Sequence, residues 1–211
     1  MADDKVMENK KMADEELLVP NDEYLKSGIH IGTKFKTKHM ENFIYKTRAD
    51  GLSILNIQQI DSRIRTMVKM LSRYNPEDIV VVSRRENGWK AITLFGELTG
   101  AKIFAGRYPP GVLTNTALRE FTEAKIIVVT DVWPDRNAVT DALNIGVPVI
   151  ALCDTNNQPN NVDLVVPCNN KGKKSLGLLF YLVTKHYLVN RGLLNKGQEL
   201  TYKLEDFMGD D

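Results

Sequence analysis

The chain has 211 residues, of which 43% are hydrophobic and 26% are charged, and these values are typical of one ordinary globular domain with short ends. Two cysteines, Cys153 and Cys168, are too few for a disulfide framework and indicate a reducing compartment. The longest apolar run, at residues 178–183, is far shorter than the roughly 20 residues that span a bilayer. The acidic, polar start lacks the apolar core of a secretory signal, so we expect a cytoplasmic protein.

The net charge of +1 hides a partition along the chain. Residues 1–23 hold eight acidic and three basic side chains, and residues 199–211 hold five acidic and one basic. The middle, 24–198, holds 24 basic and 14 acidic side chains, a net charge of +10. Clustered lysine and arginine are the electrostatic signature of a protein that binds nucleic acid. The partition favours a polyanion partner, with an ordinary charged surface as the alternative.

The two ends are rich in charge and poor in core-forming side chains, so little apolar burial would offset the entropy of ordering them. We expect an acidic N-terminal tail at 1–20, one domain at 21–195 and an acidic C-terminal tail at 196–211. Neither residues 1–20 nor residues 199–211 should belong to the core, and a 21–198 chain should keep its thermal midpoint within a few degrees.

Taken in chain order, helical patterns alternate with short runs rich in valine and isoleucine. The helical patterns cover residues 58–74, 88–98, 137–143 and 176–189, and the apolar runs, predicted to be buried strands, cover 79–83, 102–106, 126–131, 147–154 and 162–167. Runs that are almost continuously apolar are typical of parallel strands covered on both faces. The alternation therefore predicts βαβ units and one three-layer α/β domain.

The predicted helix at 58–74 has apolar side chains on one side and a basic stripe, Arg65, Lys69 and Arg73, on the other. The stripe has no acid between its members, so its i,i+4 pairs are repulsive and local stability does not explain them. A solvated outer face is one interpretation. A partner that supplies negative charge is the other.

Ligands of parallel α/β sheets bind beyond the carboxyl ends of the strands, where Asp131 and Asp154 stand. We expect both carboxylates to cap the turns that follow, because no histidine, lysine or serine arrangement completes a catalytic site. His30, His39 and His186 are scattered, without a second metal ligand at the usual spacing. The sequence thus predicts no catalytic residue, no metal site and no cofactor. The alternative function is that of a small-molecule enzyme or nucleotide-binding protein on the same fold.

The segment 169–175, NNKGKKS, follows a predicted strand and opens a predicted helix, which is the setting of a phosphate-binding loop. It lacks the Walker A nucleotide motif, because proline and lysine stand where that motif needs glycine and serine or threonine. Lys171, Lys173 and Lys174 precede an expected N-cap at Ser175, where the helix dipole favours an anion and opposes a cation. We expect these lysines to bind an RNA phosphate; the alternative is that they extend into water without a partner. Replacing all three with alanine is expected to leave the fold intact or slightly more stable.

Residues 27–48 mix bases with aromatic rings, a composition suited to RNA, because lysine meets phosphates and rings stack on unpaired bases. We expect the rings of Phe35, Phe43 and Tyr45 to belong to the core and the basic side chains to bind. The full set of candidate RNA-binding residues is Lys34, Lys36, Lys38, Lys46, Arg48, Arg65, Lys69, Arg73, Arg84, Arg85, Arg107, Lys171, Lys173 and Lys174.

Five segments carry a family resemblance: SGIHIGT (27–33), IYKTRADGLSILNI (44–57), GRYPPGVLTN (106–115), VPVIALCDT (147–155) and VDLVVPCNNKGKKSLGLLFYLV (162–183). In this order they resemble the ribosomal protein S2 family, over about residues 24 to 194. Bacterial members insert a helical hairpin after the LTN motif, for which the ten residues between Asn115 and Ile126 leave no room. Eukaryotic members carry a long C-terminal extension, whereas this chain stops soon after Gly192, so it resembles the archaeal type.

This resemblance implies a flavodoxin-like domain with five parallel strands and a structural role without catalysis. It implies a place on the solvent side of the small ribosomal subunit, between head and body near the mRNA exit. The implied partners are small-subunit rRNA and neighbouring ribosomal proteins, with no membrane and no small-molecule substrate. One departure is visible, because the sequence after the central strand is DVWPD (131–135) where the family usually has Asp-Pro, so the loop there is expected to differ.

Overall fold

A central sheet of five strands organises the chain in the computed structural model, which describes residues 17–195, 197–198 and 200–209. In chain order the helices and strands are α1 (Asn21–Ser27), β1 (Ile44–Thr47), β2 (Ser53–Leu55), α2 (Ile57–Leu71), β3 (Ile79–Ser83), α3 (Trp89–Thr99), β4 (Lys102–Ala105), β5 (Ile126–Val129), α4 (Arg136–Ile145), β6 (Val149–Cys153), β7 (Leu164–Pro167), α5 (Lys173–Asn190) and α6 (Leu204–Met208). Within the described residues, no helix has both the length and the apolar content needed to cross a membrane.

The five strands of the sheet all run parallel, in the order β4-β3-β5-β6-β7. Successive side chains of a strand point to opposite faces, so Val81 and Val128 join a core under α2, α3 and α5, whereas Val80 and Val129 join a second core under α4. Helices therefore cover both faces of the sheet. This confirms the predicted three-layer α/β domain and its five-stranded parallel sheet.

The predicted strands and helices are confirmed, with bounds that differ by up to three residues. The exception concerns burial of the strand predicted at 102–106. It corresponds to β4, which lies at the edge of the sheet with one neighbouring strand, and its two terminal residues are exposed. No strand is predicted for residues 44–55, where β1 and β2 pair as an antiparallel hairpin.

The C-terminal segment departs from the expectation of an acidic tail at 196–211. Leu200 is buried, and the Phe207 side chain on α6 is only 1% exposed, packed edge-on against the Tyr181 ring with 5.7 Å between centroids. The approach of α6 to α5 is so close that a Cβ at Gly177 would lie 2.9 Å from the Met208 Cα. Few but well-placed apolar side chains thus dock a polar segment, and the expectation that it stays outside the core is wrong for its described residues.

Most of the predicted N-terminal tail, residues 1–16, lies outside the described residues. The next three residues pack against the core, and the Leu18 N–H donates to the Asp61 Oδ1 at 2.8 Å. The folded unit therefore begins before the predicted boundary at residue 21.

Replacing Phe207 with alanine should lower the free energy of unfolding by about 3 kcal/mol, because it removes a buried ring and leaves a cavity between α5 and α6. For a chain of this size, the thermal midpoint should fall by about 6–12 °C. Denaturant and thermal unfolding measure both changes. The control is Leu193→Ala, which shortens an exposed apolar side chain and should change stability by less than about 0.5 kcal/mol. A Phe207→Ala protein as stable as this control would show that α6 contributes nothing to the fold.

Candidate nucleic-acid interface

The carboxyl ends of the parallel strands meet at one edge of the sheet, which we call the carboxyl edge. The chain passes from β3 outward to β4 and returns to β5 on the other side of β3, so the strand order reverses where ligands of doubly wound sheets bind. A groove of about 680 Å³ lies at this edge, lined by Arg85 after β3, Trp133 after β5, Asn157 after β6 and Lys171 after β7. We call it the main groove.

The buried carboxylate of Asp131 lines the main groove and joins three loops. The Asp131 Oδ2 accepts from the Arg85 guanidinium, whose Nε lies at 2.7 Å. The Asp131 Oδ1 accepts from the side-chain amide of Asn157 at 2.8 Å and from the backbone N–H of Trp133 at 3.2 Å. Charge-assisted bonds of this kind satisfy a carboxylate that water does not reach. The Trp133 bond confirms the predicted turn cap at Asp131. The ion pair with Arg85 adds a role that the sequence did not indicate.

A second buried carboxylate, Asp154, holds Lys171 at the same edge. The Lys171 Nζ donates to the Asp154 Oδ2 at 2.9 Å and to the Asn156 side chain at 3.1 Å. The other carboxylate oxygen accepts from the Thr155 N–H at 2.6 Å, so Asp154 also supports its own turn, as predicted. Lys171 therefore has an internal partner. This ion pair gives Lys171 a structural role, contrary to the expectation that its replacement with alanine leaves the fold intact or slightly more stable.

The NNKGKKS turn is organised by Asn169 and not by a cap at Ser175. The Asn169 Oδ1 accepts from the N–H groups two and three residues further on, at 3.1 Å each. Ser175 is buried inside the first turn of α5, and its hydroxyl donates to the Asn169 carbonyl at 2.7 Å. The predicted N-cap at Ser175 is wrong, because α5 begins two residues earlier. Lys173 and Lys174 therefore stand in the first helical turn, where a positive charge opposes the helix dipole.

A second groove, of about 580 Å³, is lined by Arg84, Arg107 and Arg136, and we call it the side groove. Trp133, whose side chain is 80% exposed, borders both grooves. Asp135 also lines the side groove but is only 2% exposed. Its Oδ2 accepts from the Arg84 N–H at 3.3 Å, whereas its Oδ1 has no hydrogen-bond partner among the described residues. Burial raises the pKa of Asp135 to about 6, against the lowering effect of the Arg84 N–H.

The loop at 32–40, which we call the lysine loop, is fastened to the carboxyl edge. The Thr155 hydroxyl accepts from the Thr33 N–H at 2.9 Å, and the Thr37 hydroxyl donates to the Asn157 carbonyl at 2.7 Å. These bonds hold the loop on the turn after β6, which forms part of the main groove. The loop thereby brings three exposed, predicted lysines to this edge: Lys34, Lys36 and Lys38.

The aromatic side chains of this region are not the core residues that the sequence predicts. Phe35 is 82% exposed and Tyr45 is 70% exposed, and only Phe43 is half-buried, with the Arg63 guanidinium 5.5 Å from its ring centroid. The lysine loop is held through its backbone and its threonines, and β1 belongs to a hairpin with an exposed face, so neither ring meets an apolar layer. The expectation is wrong for Phe35 and Tyr45, and both rings are accessible for stacking.

The hairpin that carries Lys46 and Arg48 continues the basic surface of the lysine loop. Its residue Ser53 exchanges backbone hydrogen bonds with Gly32 and Thr33, at 2.9 and 3.1 Å. Both basic side chains are exposed, although Arg48 lies 3.5 Å from a carboxylate of the same hairpin. The structure therefore joins the hairpin and the lysine loop into one unit.

The basic stripe on α2 lies apart from the carboxyl edge. The Arg65 Nε donates to the Asp61 Oδ2 at 2.6 Å, and the buried Asp61 also accepts from the Tyr24 hydroxyl at 2.7 Å. The expectation that local stability does not explain the stripe is therefore wrong for Arg65, because Asp61 lies one turn before it and pairs with it. Lys69, near the end of α2, and Arg73, two residues beyond that end, are both exposed and lie where the chain leads to the amino end of β3.

Two residues of the interface are missing from the predicted set. Trp133 and Arg136 line both grooves; Trp133 lies in the loop that follows β5, and Arg136 is the first residue of α4. The signal for them was the position of this loop, since ligands bind beyond strand ends at the reversal of strand order. An isolated arginine and a tryptophan in an otherwise ordinary turn show no composition bias, so charge clustering did not reveal them.

The arrangement is suited to binding anions and rings. Of the described residues, no group of three or more histidine, cysteine, aspartate or glutamate side chains is placed to hold a metal ion. Burial raises the pKa of both thiols, Cys153 and Cys168, which keeps them protonated. Burial lowers the pKa of His30 and His186, which disfavours their charged form.

Comparisons with known proteins agree on one family. A family model described as Ribosomal protein S2 matches residues 24–124 and 118–188. Small ribosomal subunit protein uS2 from Ignicoccus hospitalis is 52% identical over 181 residues, which cover 85% of each chain. The protein of the same name from Thermoplasma acidophilum is 44% identical over 92% of this chain and 98% of its own. That from Nanoarchaeum equitans is 46% identical over 90% and 94%.

Replacing Lys171 with alanine should lower the free energy of unfolding by about 1–3 kcal/mol, because it leaves the buried Asp154 carboxylate without a charged donor. Urea unfolding measures the loss, and the exposed Lys69→Ala is the matched control. Adding Asp154→Asn to Lys171→Ala should recover part of the loss, because the carboxylate is then uncharged. A Lys171→Ala protein as stable as the control would contradict the structural role of this ion pair.

Asp135 should make stability fall as pH rises. Its folded pKa of about 6 exceeds the usual value near 3.9, so the folded state binds the proton more tightly, and this contribution is lost as pH rises from about 4 through about 6. Relative to the wild type, Asp135→Asn should gain about 2 kcal/mol between pH 4.5 and pH 7.5. Unfolding free energies of both proteins at the two pH values test this, with the exposed Asp22→Asn as control. Parallel pH profiles of wild type and Asp135→Asn would refute it.

Proposed function

Because the chain belongs to the ribosomal protein S2 family, and within it to the archaeal type, we propose that it is a structural constituent of the small ribosomal subunit that binds small-subunit rRNA through its carboxyl edge. The family is structural and non-enzymatic, and it serves translation. Neighbouring small-subunit proteins are its other proposed partners. The proposed position lies between head and body near the mRNA exit, as the family resemblance implies.

The observation that carries the rRNA proposal is the separation of charge at the carboxyl edge. The aspartates there, Asp131, Asp135 and Asp154, are buried. Exposed basic side chains surround them: Lys34, Lys36, Lys38, Arg84, Arg107 and Arg136. A surface with exposed basic side chains and buried acidic ones attracts phosphates. Its lysines and arginines can take the place of the counterions that surround the phosphates of a nucleic acid. Exposed rings of the lysine loop and the hairpin add stacking surfaces of the kind that RNA-binding proteins use.

Internal ion pairs reduce the availability of Arg85 and Lys171 without removing it. About a third of each side chain stays exposed, and a guanidinium has further N–H donors beyond those that one carboxylate occupies. Both residues therefore belong to the proposed contact surface, as do Lys46, Arg48, Lys173 and Lys174. The stripe of Arg65, Lys69 and Arg73 is a separate proposed patch, in which Arg65 is held by Asp61.

Removing two charges from the lysine loop should weaken the salt dependence of binding. Each phosphate contact contributes about −0.7 to −0.9 to the slope of log affinity against log salt concentration, so Lys34→Ala with Lys38→Ala should flatten the slope by up to about two units. The binding partner is the small subunit stripped of this protein by washing at high salt. Association is measured by co-sedimentation over a series of salt concentrations.

The matched control removes two exposed charges elsewhere, with Lys26→Ala and Arg119→Ala, and should leave the slope unchanged. Both double variants should unfold at the wild-type denaturant concentration, because all four side chains are exposed. Binding of the wild type that does not depend on salt would count against rRNA contact and would indicate docking on proteins. Equal slopes for the two double variants would count against the carboxyl edge as the contact surface.

A further inference from the structure

Trp133 is held in an exposed position by the buried part of the interface. The backbone N–H of Trp133 donates to the Asp131 Oδ1 at 3.2 Å. Pro134 comes next in the chain, and a proline restricts the backbone conformations of the residue before it. An indole left in water forgoes the free energy that burial would release, so local packing does not explain its position. Fixed backbone geometry is instead what a preorganised contact surface needs, because little entropy is then lost on binding.

The main groove beside the indole combines positive charge with amide groups. Arg85, Arg136 and Lys171 line it against one carboxylate, Asp131, which is already hydrogen-bonded. The loop between β6 and β7 adds the exposed amides of Asn156, Gln158 and Asn160. Amides carry both donors and acceptors, which is the chemistry that matches the edges of nucleobases. The main groove has a volume of about 680 Å³, which is in the range of sites that enclose a single small ligand.

We propose that the main groove binds one unpaired nucleotide of the rRNA, extruded from its helix. The base stacks on Trp133, its edge meets the amides of the loop between β6 and β7, and its phosphate lies against Arg136. This inference rests on the proposed function and states which kind of RNA element the carboxyl edge recognises.

Duplex RNA does not suit this site, because the faces of paired bases are covered by their neighbours and side chains contact mainly the backbone and the shallow groove. An unpaired base has free faces and free edges, which an aromatic ring and amides can contact. An acidic peptide would pair with the basic side chains of the main groove but would make no specific contact with the indole or with the amides of the loop between β6 and β7. The combination of all three features favours a nucleotide.

The test uses the full chain with an unstructured single-stranded RNA octamer and with a duplex of the same sequence. The single strand should quench indole fluorescence in a saturable way, and Trp133→Phe should abolish most of the quenching while keeping affinity within about threefold. Trp133→Ala should weaken binding of the single strand by about 5- to 150-fold, the contribution of one stacked base. The same change should weaken duplex binding by less than about twofold. The control is Leu143→Ala, which shortens an exposed apolar side chain on α4 and should alter neither affinity.

Equal effects of Trp133→Ala on single strand and duplex, or no effect on either, would overturn the proposal. The proposed function would still stand if salt-dependent association with stripped small subunits persisted in the same variant. Weaker association with the subunits, combined with RNA that leaves the indole unquenched, would also overturn the proposal and would identify a protein segment as the occupant of the main groove.

Discussion

The buried carboxylate of Asp131 stands where β3 and β5 meet at the carboxyl edge, and the shape of the interface depends on it. A charge removed from water must find close donors, or the fold loses several kcal/mol. The donors come from three loops: the Arg85 guanidinium after β3, the Trp133 N–H after β5 and the Asn157 amide after β6. Asn157 extends the network, because its Oδ1 accepts from the Asp154 N–H at 2.8 Å. The need to satisfy one charge thus fixes the positions of the side chains around the main groove.

The same requirement explains how a chain with nearly equal numbers of acidic and basic residues presents a basic face. The aspartates at 61, 131, 135 and 154 lie inside the protein and accept hydrogen bonds there. Lysine and arginine side chains are rarely buried completely, because their long stems keep the charged group near water. At the carboxyl edge the aspartates therefore lie inside the fold, whereas most of the basic groups remain at the surface. The exposed arginines and the lysine loop at the carboxyl edge carry part of the net charge of +10 over residues 24–198.

Periodic features could be predicted from the sequence, and features set by single contacts could not. Five continuous apolar runs predicted all five parallel strands, because a strand covered on both faces needs apolar residues at every position. The exposure of Phe35 was missed, since a ring between lysines looks like one side of a half-buried strand, and only the absence of an opposing layer exposes it. The docking of Phe207 does not follow from composition, which averages over a segment, because it depends on one ring packed against Tyr181. The sequence shows that Asp61 lies one turn before Arg65. The burial of Asp61, which strengthens this ion pair, follows only from the packing of α1 and α2.

The C-terminal segment links the stability of the core to the charge at the carboxyl edge. Phe207 docks α6 beside the first half of α5, and a Cβ at Gly209 would lie 2.9 Å from the Lys173 Cε and 3.2 Å from the Lys90 Cδ. The end of the C-terminal segment at Gly209 therefore lies beside the first turn of α5, where lysine charge opposes the helix dipole. Docking by one buried ring thus determines how firmly this segment is held beside the lysine turn at the start of α5.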